Sequence, residues 1–354
     1  MPEFTPSKVA VNGPMQKIDI FTPALPQEAG DLRRWSGLQG SSLSLAVANI
    51  AKAHHGVVML LTANTEEAEL ARRELSFYCP ERDNIPVYTL PDWETLPYDN
   101  FSAHQDIVSD RLNTLYHLPL LTRGILIMPM TSLMHRLTPR EYVAGNSLVL
   151  KVGARFKPDV MRANLLAAGY QCVDSVYEHG EFAVRGSIMD VFPMGSDVPF
   201  RIDLFDDEIE SLRTFDPETQ RSLDKVPNVQ LLPGKEYPMT EAGISLFRSN
   251  FRNRFDVDLR QCSVYQDISQ GLHSAGIEYY LPLFFEESAT LFDYLPQDAT
   301  LLLRDNGLAD YAYVHNNYVM KKGGRKIPPH AQLVSTDRVN KKFARVEQIK
   351  KFFL

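Results

Sequence analysis

The chain has 354 residues, 44% apolar and 23% charged, with a formal net charge of −7. This is ordinary globular usage and enough length for two or three domains of roughly 100 to 200 residues each, while the acidic balance argues against a general nucleic-acid binder, which presents a basic face to phosphates. Cys79, Cys172 and Cys262 lie far apart without a C-x-x-C pair, and no run approaches 18 apolar residues, so the expectation is a soluble cytoplasmic protein with no zinc or disulfide framework, signal peptide or membrane span.

The first informative stretch is Gly37-Leu38-Gln39-Gly40-Ser41-Ser42-Leu43-Ser44. Set against the phosphate-loop pattern G-x-x-x-x-G-K-[ST], Gly37 and Ser44 fit, but Ser42 stands at the second glycine and Leu43 at the lysine. Leu43 brings no charge to a phosphate, and Ser42 turns tightly only at a cost that glycine avoids. Nucleotide binding at Gly37, Gly40, Ser42, Leu43 and Ser44 is therefore not expected. Leu43, Val47, Ile50 and Ala51 then recur at helical spacing until Gly56, and Val57 to Leu61 forms an apolar strand. His54 and His55 before that glycine are read as stabilising the last carbonyls of the helix rather than as metal ligands.

A second helix is predicted over 65–78, capped by Thr65 with two acids in its first turn. "IPVYTL", helix "DIVSDRLNTLYHL" and "GILIMPM" continue the alternation of short apolar strands and helices, the pattern of a parallel sheet covered on both faces. The strand "GILIMPMTS" ends without the acid that would hold magnesium. In "DWETLPYDNF", Trp93, Tyr98 and Phe101 could stack on bases, but no lysine or arginine lies between residues 83 and 110, so packing of a long loop is the better reading.

From 148 the pattern changes. "KPDVMRANLLAAGY" reads as a helix, and the following segments alternate with period two around Gly and Pro, as antiparallel strands do. Asp206, Asp207 and Glu208 in "FDDEIE" read as a solvated hairpin turn rather than a cation site. In "PFRIDLF", Phe200, Ile202 and Leu204 point to one side and Arg201, Asp203 and Phe205 to the other. A hairpin around Met194 to Asp197 would bring Arg185 roughly opposite Phe205 on that outer face, and arginines around an aromatic are typical interface anchors. The competing reading pairs Arg185 and Arg201 with Asp203 or Asp190. Beyond 236 the chain returns to helix with "TEAGISLFRSNFRNRF".

The segments "LPDWETLPYDNFSAHQDIVSDRLNTLYHL", "YEHGEFAVRGSIMDVFPMGSDVPFRIDLFDDEIESLRTFD" and "AGIEYYLPLFFEE" resemble the amino-terminal region of the bacterial transcription-repair coupling factors (Mfd) over about residues 25 to 303. The resemblance implies an α/β fold: a degenerate P-loop, helicase-like parallel-sheet domain related to UvrB, with an inserted α+β antiparallel-sheet domain. The implied layout is an N-terminal extension (1–24), a UvrB-like domain 1a (25–147), the inserted domain 2 (148–235), a domain 1b completing the first (236–303) and an atypical basic tail (304–354). It implies a non-catalytic module that recruits UvrA in transcription-coupled nucleotide excision repair and helps restrain a downstream ATP-dependent translocase. Arg185, Arg201 and Phe205 match positions implicated in the UvrA contact. No catalytic residue, metal or cofactor is implied for this stretch, the DNA-inserting hairpin of UvrB is missing from the family, and RNA polymerase and DNA are partners of the longer protein. The alternative is a residual nucleotide-dependent, DNA-binding enzyme using the 37–44 loop.

The end of the chain departs from that pattern. Residues 321–354 hold ten Lys or Arg against two acids, a charge of +8 that leaves −15 on the preceding 320. The reading is a basic amphipathic helix with Phe343, Val346, Ile349 and Phe353 on one face. "NKKFARVEQIKKFFL" is also similar to the carboxy-terminal part of long-chain acyl-CoA ligases, which would make the tail foreign to the family.

Overall fold

A computed structural model describes residues 15–23, 32–95, 101–296, 299–303 and 350–353. The first strands are β1 (Met15–Lys17), β2 (Leu32–Ser36), β3 (Val57–Thr62), β4 (Val87–Thr89) and β5 (Gly124–Pro129). Every residue of β3 and β5 is buried, which is why both read as unbroken apolar runs: helices cover both faces of the sheet. On one face Val58, Leu60, Ile125 and Ile127 pack with Val47, Ile50 and Ala51 of helix Ser42–Ala53 and Leu75 of helix Thr65–Tyr78. On the other, Val57, Met59, Leu61 and Leu126 meet Leu112 and Leu115 of helix Gln105–His117, the period-two division expected of a strand. The second helix spans the expected 65–78, with a different cap. Asn64, not Thr65, is the cap, and its side chain accepts a hydrogen bond from the backbone N–H of Glu67.

The chain next builds β6 (Leu148–Lys151), helix Pro158–Ala167, β7 (Gln171–Cys172), β8 (Glu181–Arg185), β9 (Ile188–Val191), β10 (Phe200–Phe205), β11 (Glu208–Phe215), β12 (Ser222–Lys225) and β13 (Asn228–Leu231). The strands β12-β11-β10-β9-β8-β7 form a six-stranded sheet, antiparallel except for β7 beside β8, while β6 and β13 pair at the base. Its inner face, with Phe182, Met189, Val191, Ile202, Leu204 and Leu212, joins the same core as Leu112 and Leu126. The sheet therefore shares one apolar core with helix Gln105–His117. Gly195 marks the closest approach: its φ is +80°, a Cβ there would lie 2.8 Å from Leu232 and 3.2 Å from Asn113, and its N–H donates to Ser109 Oγ at 2.8 Å. A side chain at 195 would have to displace the Leu232 and Asn113 side chains, and the positive φ itself favours glycine.

A third core gathers Phe247 and Phe251 of helix Glu241–Arg254 with Tyr265 and Phe284. The chain then returns to the first sheet as β14 (Thr300–Leu303), parallel to β3, and β15 (Lys350–Phe353) inserts between β14 and β2. The complete order is β1-β2-β15-β14-β3-β5-β4, with every pairing parallel. This corrects the expected basic helix at the end of the chain: Phe353 lies in a strand, and Phe343, Val346 and Ile349 fall outside the described residues. Two strand edges flank that slot, and satisfying their N–H and C=O groups outweighs a local helical pattern.

Candidate functional site: the loop at 37–44 and the outer face of the inserted sheet

The loop after β2 turns through two glycines in the left-handed region. Gly37 and Gly40 have φ of +84° and +56°, with open space where a Cβ would stand. Ser42 closes the turn on itself: its hydroxyl donates to Gln39 O and accepts from Gln39 N, each at 2.7 Å. Leu43 packs into the core beside Trp35 and Val47. Ser44, whose hydroxyl would meet a metal in an active loop, donates instead to Glu74 Oε2 at 2.6 Å. Around the loop lies a cavity of about 440 Å³ walled by Trp35, Leu38, Leu43, Leu60, Leu61 and Leu70, with Glu67 and Glu74 on one side; the described residues lining it include no Lys, Arg or His. Glu67 and Glu74 thus bring carboxylates to the lining. The sequence pattern exposed the missing lysine. It gave no sign of Glu74, which reaches the loop from the next helix.

The outer face of the inserted sheet is built around a buried acid. Asp190 has no exposed surface and pairs across β10 with Arg201 and across β8 with Ala183. Arg201 grips it with Nε to Oδ1 at 2.7 Å and Nη2 to Oδ2 at 2.9 Å, and Arg185 adds Nη2 to Oδ2 at 2.6 Å. Arg201 is committed further: Nη1 donates to Gln220 O and Ser222 Oγ, both at 3.1 Å, and the guanidinium lies 5.0 Å above the Phe215 ring. Its hydrogen bonds to Asp190 raise its pKa above the ordinary arginine value. Only 16% of the Arg201 side chain is exposed, against 49% for Arg185. The pairing with Asp190 that competed with the interface reading is thus present, and Arg185 still faces solvent while making it. Asp203 is held by Ser211 rather than by either arginine.

Phe205 stands on the same face and is 75% exposed. It is not opposite Arg185. The two-residue turn Gly186-Ser187, with Gly186 at φ +62°, sets Arg185 against Ile188, which faces Asp203. Phe205 is one same-face position further along β10, at the turn where Asp206 takes a left-handed φ of +57° and Arg155 pairs with Glu208 at 3.2 Å. The three residues singled out from sequence therefore divide in role: Arg185 and Phe205 present themselves outward, and Arg201 braces the face beneath them.

The remaining candidates are structural. His54 caps its helix, and its Nε2 lies 3.1 Å from Thr300 Oγ1. Trp93 is buried, donates Nε1 to Glu236 Oε1 at 3.1 Å and carries the Arg111 guanidinium 4.6 Å above its ring. Phe101 is exposed, and Tyr98 lies outside the described residues. Among the described residues no group of three or more His, Cys, Asp or Glu is placed to hold a metal ion, and no helix is long and apolar enough to cross a membrane.

Comparison with known proteins adds independent information. The family model described as "UvrB interaction domain" matches residues 148–237, the stretch from β6 to just past β13. A transcription-repair-coupling factor of Haemophilus influenzae is 42% identical over 324 residues, covering 91% of this chain and 28% of that protein. Its counterpart in Escherichia coli is 46% identical over 279 residues, 78% of this chain and 24% of the relative, and that of Bacillus subtilis is 27% identical over 284 residues, 76% and 24%. The chain thus spans about a quarter of the length of the curated relatives it matches. With a UvrB interaction domain joined to a parallel-sheet unit, and with identity of 42 to 46% over most of its residues, the chain belongs to the transcription-repair-coupling factor family and corresponds to its UvrB-like amino-terminal region.

Proposed function

We propose that this chain is a non-catalytic recruiting module that binds UvrA through the outer face of the inserted sheet in transcription-coupled nucleotide excision repair. The observation that carries the reading is Phe205, a large aromatic left 75% exposed on a rigid strand within a stretch matched by the UvrB interaction domain. An exposed ring beside Arg185 can bury apolar area in a partner's pocket while the guanidinium bonds a partner carboxylate. Arg201 supports the contact from below through Asp190. The parallel-sheet unit serves as the rigid base, a P-loop, helicase-like fold whose nucleotide chemistry has been lost. In the longer protein the module also helps restrain an ATP-dependent DNA translocase, with RNA polymerase and DNA as that protein's partners and the cytoplasm as its location.

The loop at 37–44 supports the absence of an ATP-dependent step here, since Leu43 stands where the lysine would be and the Ser44 hydroxyl is turned to Glu74. The test is capture of purified UvrA by immobilised chain, with Arg185→Glu as the comparison. Retention of UvrA by the wild type and its loss in the variant are expected; no retention by a folded wild type would refute the reading.

A further inference from the structure

The cavity at the loop has the make-up of a small-ligand site, and the recruitment of UvrA makes no use of it. Its volume of about 440 Å³ falls among those of pockets that hold small organic molecules, which are mostly apolar with a few placed polar groups. Leu38, Leu43, Leu60, Leu61 and Leu70 supply the apolar walls. Gly37 and Gly40 also line it and meet nothing within 4 Å where a Cβ would stand. Leu70, from helix Thr65–Tyr78, is 49% exposed, so the cavity opens to solvent between the loop and that helix.

Glu74 sets the charge of what can enter. It is half-buried on the helix, and its Oε2 accepts the Ser44 hydroxyl at 2.6 Å, which fixes the carboxylate at the lining. An ionised carboxylate has about four acceptor sites, so one bond from Ser44 leaves capacity for a donor on a ligand. The other acid of the lining, Glu67, is engaged by Ala63 N at 3.2 Å and is not required. The described lining residues include no Lys, Arg or His to offset Glu74. A fixed carboxylate at the edge of apolar walls favours a cation and disfavours an anion, more strongly than it would in open water. We infer that the cavity binds a small organic ammonium, a primary amine carried on an apolar body, with the ammonium on Glu74 and the body against the leucines.

Isothermal titration of the full chain with three probes of similar size and different charge tests this: phenethylamine, phenethyl alcohol and hydrocinnamate. At neutral pH the protonated amine should bind about tenfold tighter than the alcohol, the factor that one charge-assisted hydrogen bond supplies, and the carboxylate should not bind. Glu74→Gln keeps an acceptor for Ser44 and removes the charge, so the folded variant should bind amine and alcohol alike. Glu69→Gln, at an exposed acid paired with Arg72 at 3.0 Å on the same helix, should leave the preference in place. No binding of the amine by the wild type, equal binding of amine and alcohol, tighter binding of the carboxylate, or a preference that survives Glu74→Gln would each overturn the inference. If Glu74→Gln fails to fold, Leu70→Lys decides: at a half-exposed position it brings a cation to the lining and should weaken the amine more than the alcohol, and equal weakening would overturn the inference.

Discussion

Arg201 and Asp190 form a bidentate pair, Nε to Oδ1 at 2.7 Å and Nη2 to Oδ2 at 2.9 Å, around a carboxylate with no exposed surface. The pair ties β10 to β9 at the centre of the outer face, and Arg185 leans on the same acid from β8. Two arginines that look equivalent in sequence therefore have unequal tasks. One is a brace, the other a brace with a free side.

This inequality is measurable. Arg201→Ala leaves Asp190 with Arg185 alone and should destabilise the chain by about 3 kcal/mol, in the range for breaking a buried ion pair. Arg185→Ala removes a half-exposed partner and should cost less than about 1 kcal/mol. Urea denaturation followed by circular dichroism distinguishes them, and equal losses would contradict the assignment of roles.

A second buried pair holds the inserted sheet to the body. Arg111 Nε reaches Glu236 Oε1 at 2.6 Å, with neither side chain more than 4% exposed, joining helix Gln105–His117 to the segment just beyond β13. Removing one partner strands a charge in the core. Glu236→Ala should therefore cost about 3 to 5 kcal/mol in the same denaturation experiment, whereas Arg155→Ala, at an exposed pair, should change stability by less than about 1 kcal/mol.

Acid should loosen the same region. His135 is buried, stacked 4.5 Å from Trp93, and burial lowers its pKa from 6.5 to about 4. The unfolded chain binds this proton near the ordinary histidine value while the folded one does not, so stability is fully present above about 6.5 and falls as the pH drops towards about 4, by up to about 3 kcal/mol. His135→Phe keeps a stacked ring and removes the titration. The loss of stability between pH 7 and pH 4.5 should be smaller in the variant, and an identical loss would count against this origin.

Nucleotide should be ignored. With Leu43 at the lysine position and Ser44 turned to Glu74, the loop offers a phosphate no cation. Isothermal titration with Mg-ATP should give no heat beyond dilution, and a micromolar isotherm would contradict the degenerate-loop reading.

How far the sequence reveals this molecule depends on how local each signal is. Helical spacing of Leu43, Val47, Ile50 and Ala51 and the apolar runs of β3 and β5 sit within single elements, so the parallel sheet with flanking helices was legible. Alternation in "PFRIDLF" likewise separated the buried Ile202 and Leu204 from the outward Arg201 and Phe205. Strand order was not legible, because β14 and β15 reach the centre of the sheet from the far end of the chain, and no local pattern announces which slot a strand will fill. The offset between Arg185 and Phe205 depends on a two-residue turn at Gly186-Ser187, whose register moves every cross-strand partner. Glu74 was missed for a similar reason: it meets Ser44 across two helices, thirty positions apart.

Phe205 and Arg185 together form the proposed contact for UvrA. Its most direct test is the dissociation constant for purified UvrA, measured on wild type, Phe205→Ala and Arg185→Glu beside thermal melts of each. Binding should be about thirtyfold weaker for Phe205→Ala, about 2 kcal/mol as for a central anchor, and at least as weak for Arg185→Glu through added repulsion; melting should be nearly unchanged for Phe205→Ala and lower for the folded Arg185→Glu, which sets a second carboxylate beside buried Asp190. Wild-type affinity in both folded variants would contradict it and place the recruiting surface elsewhere.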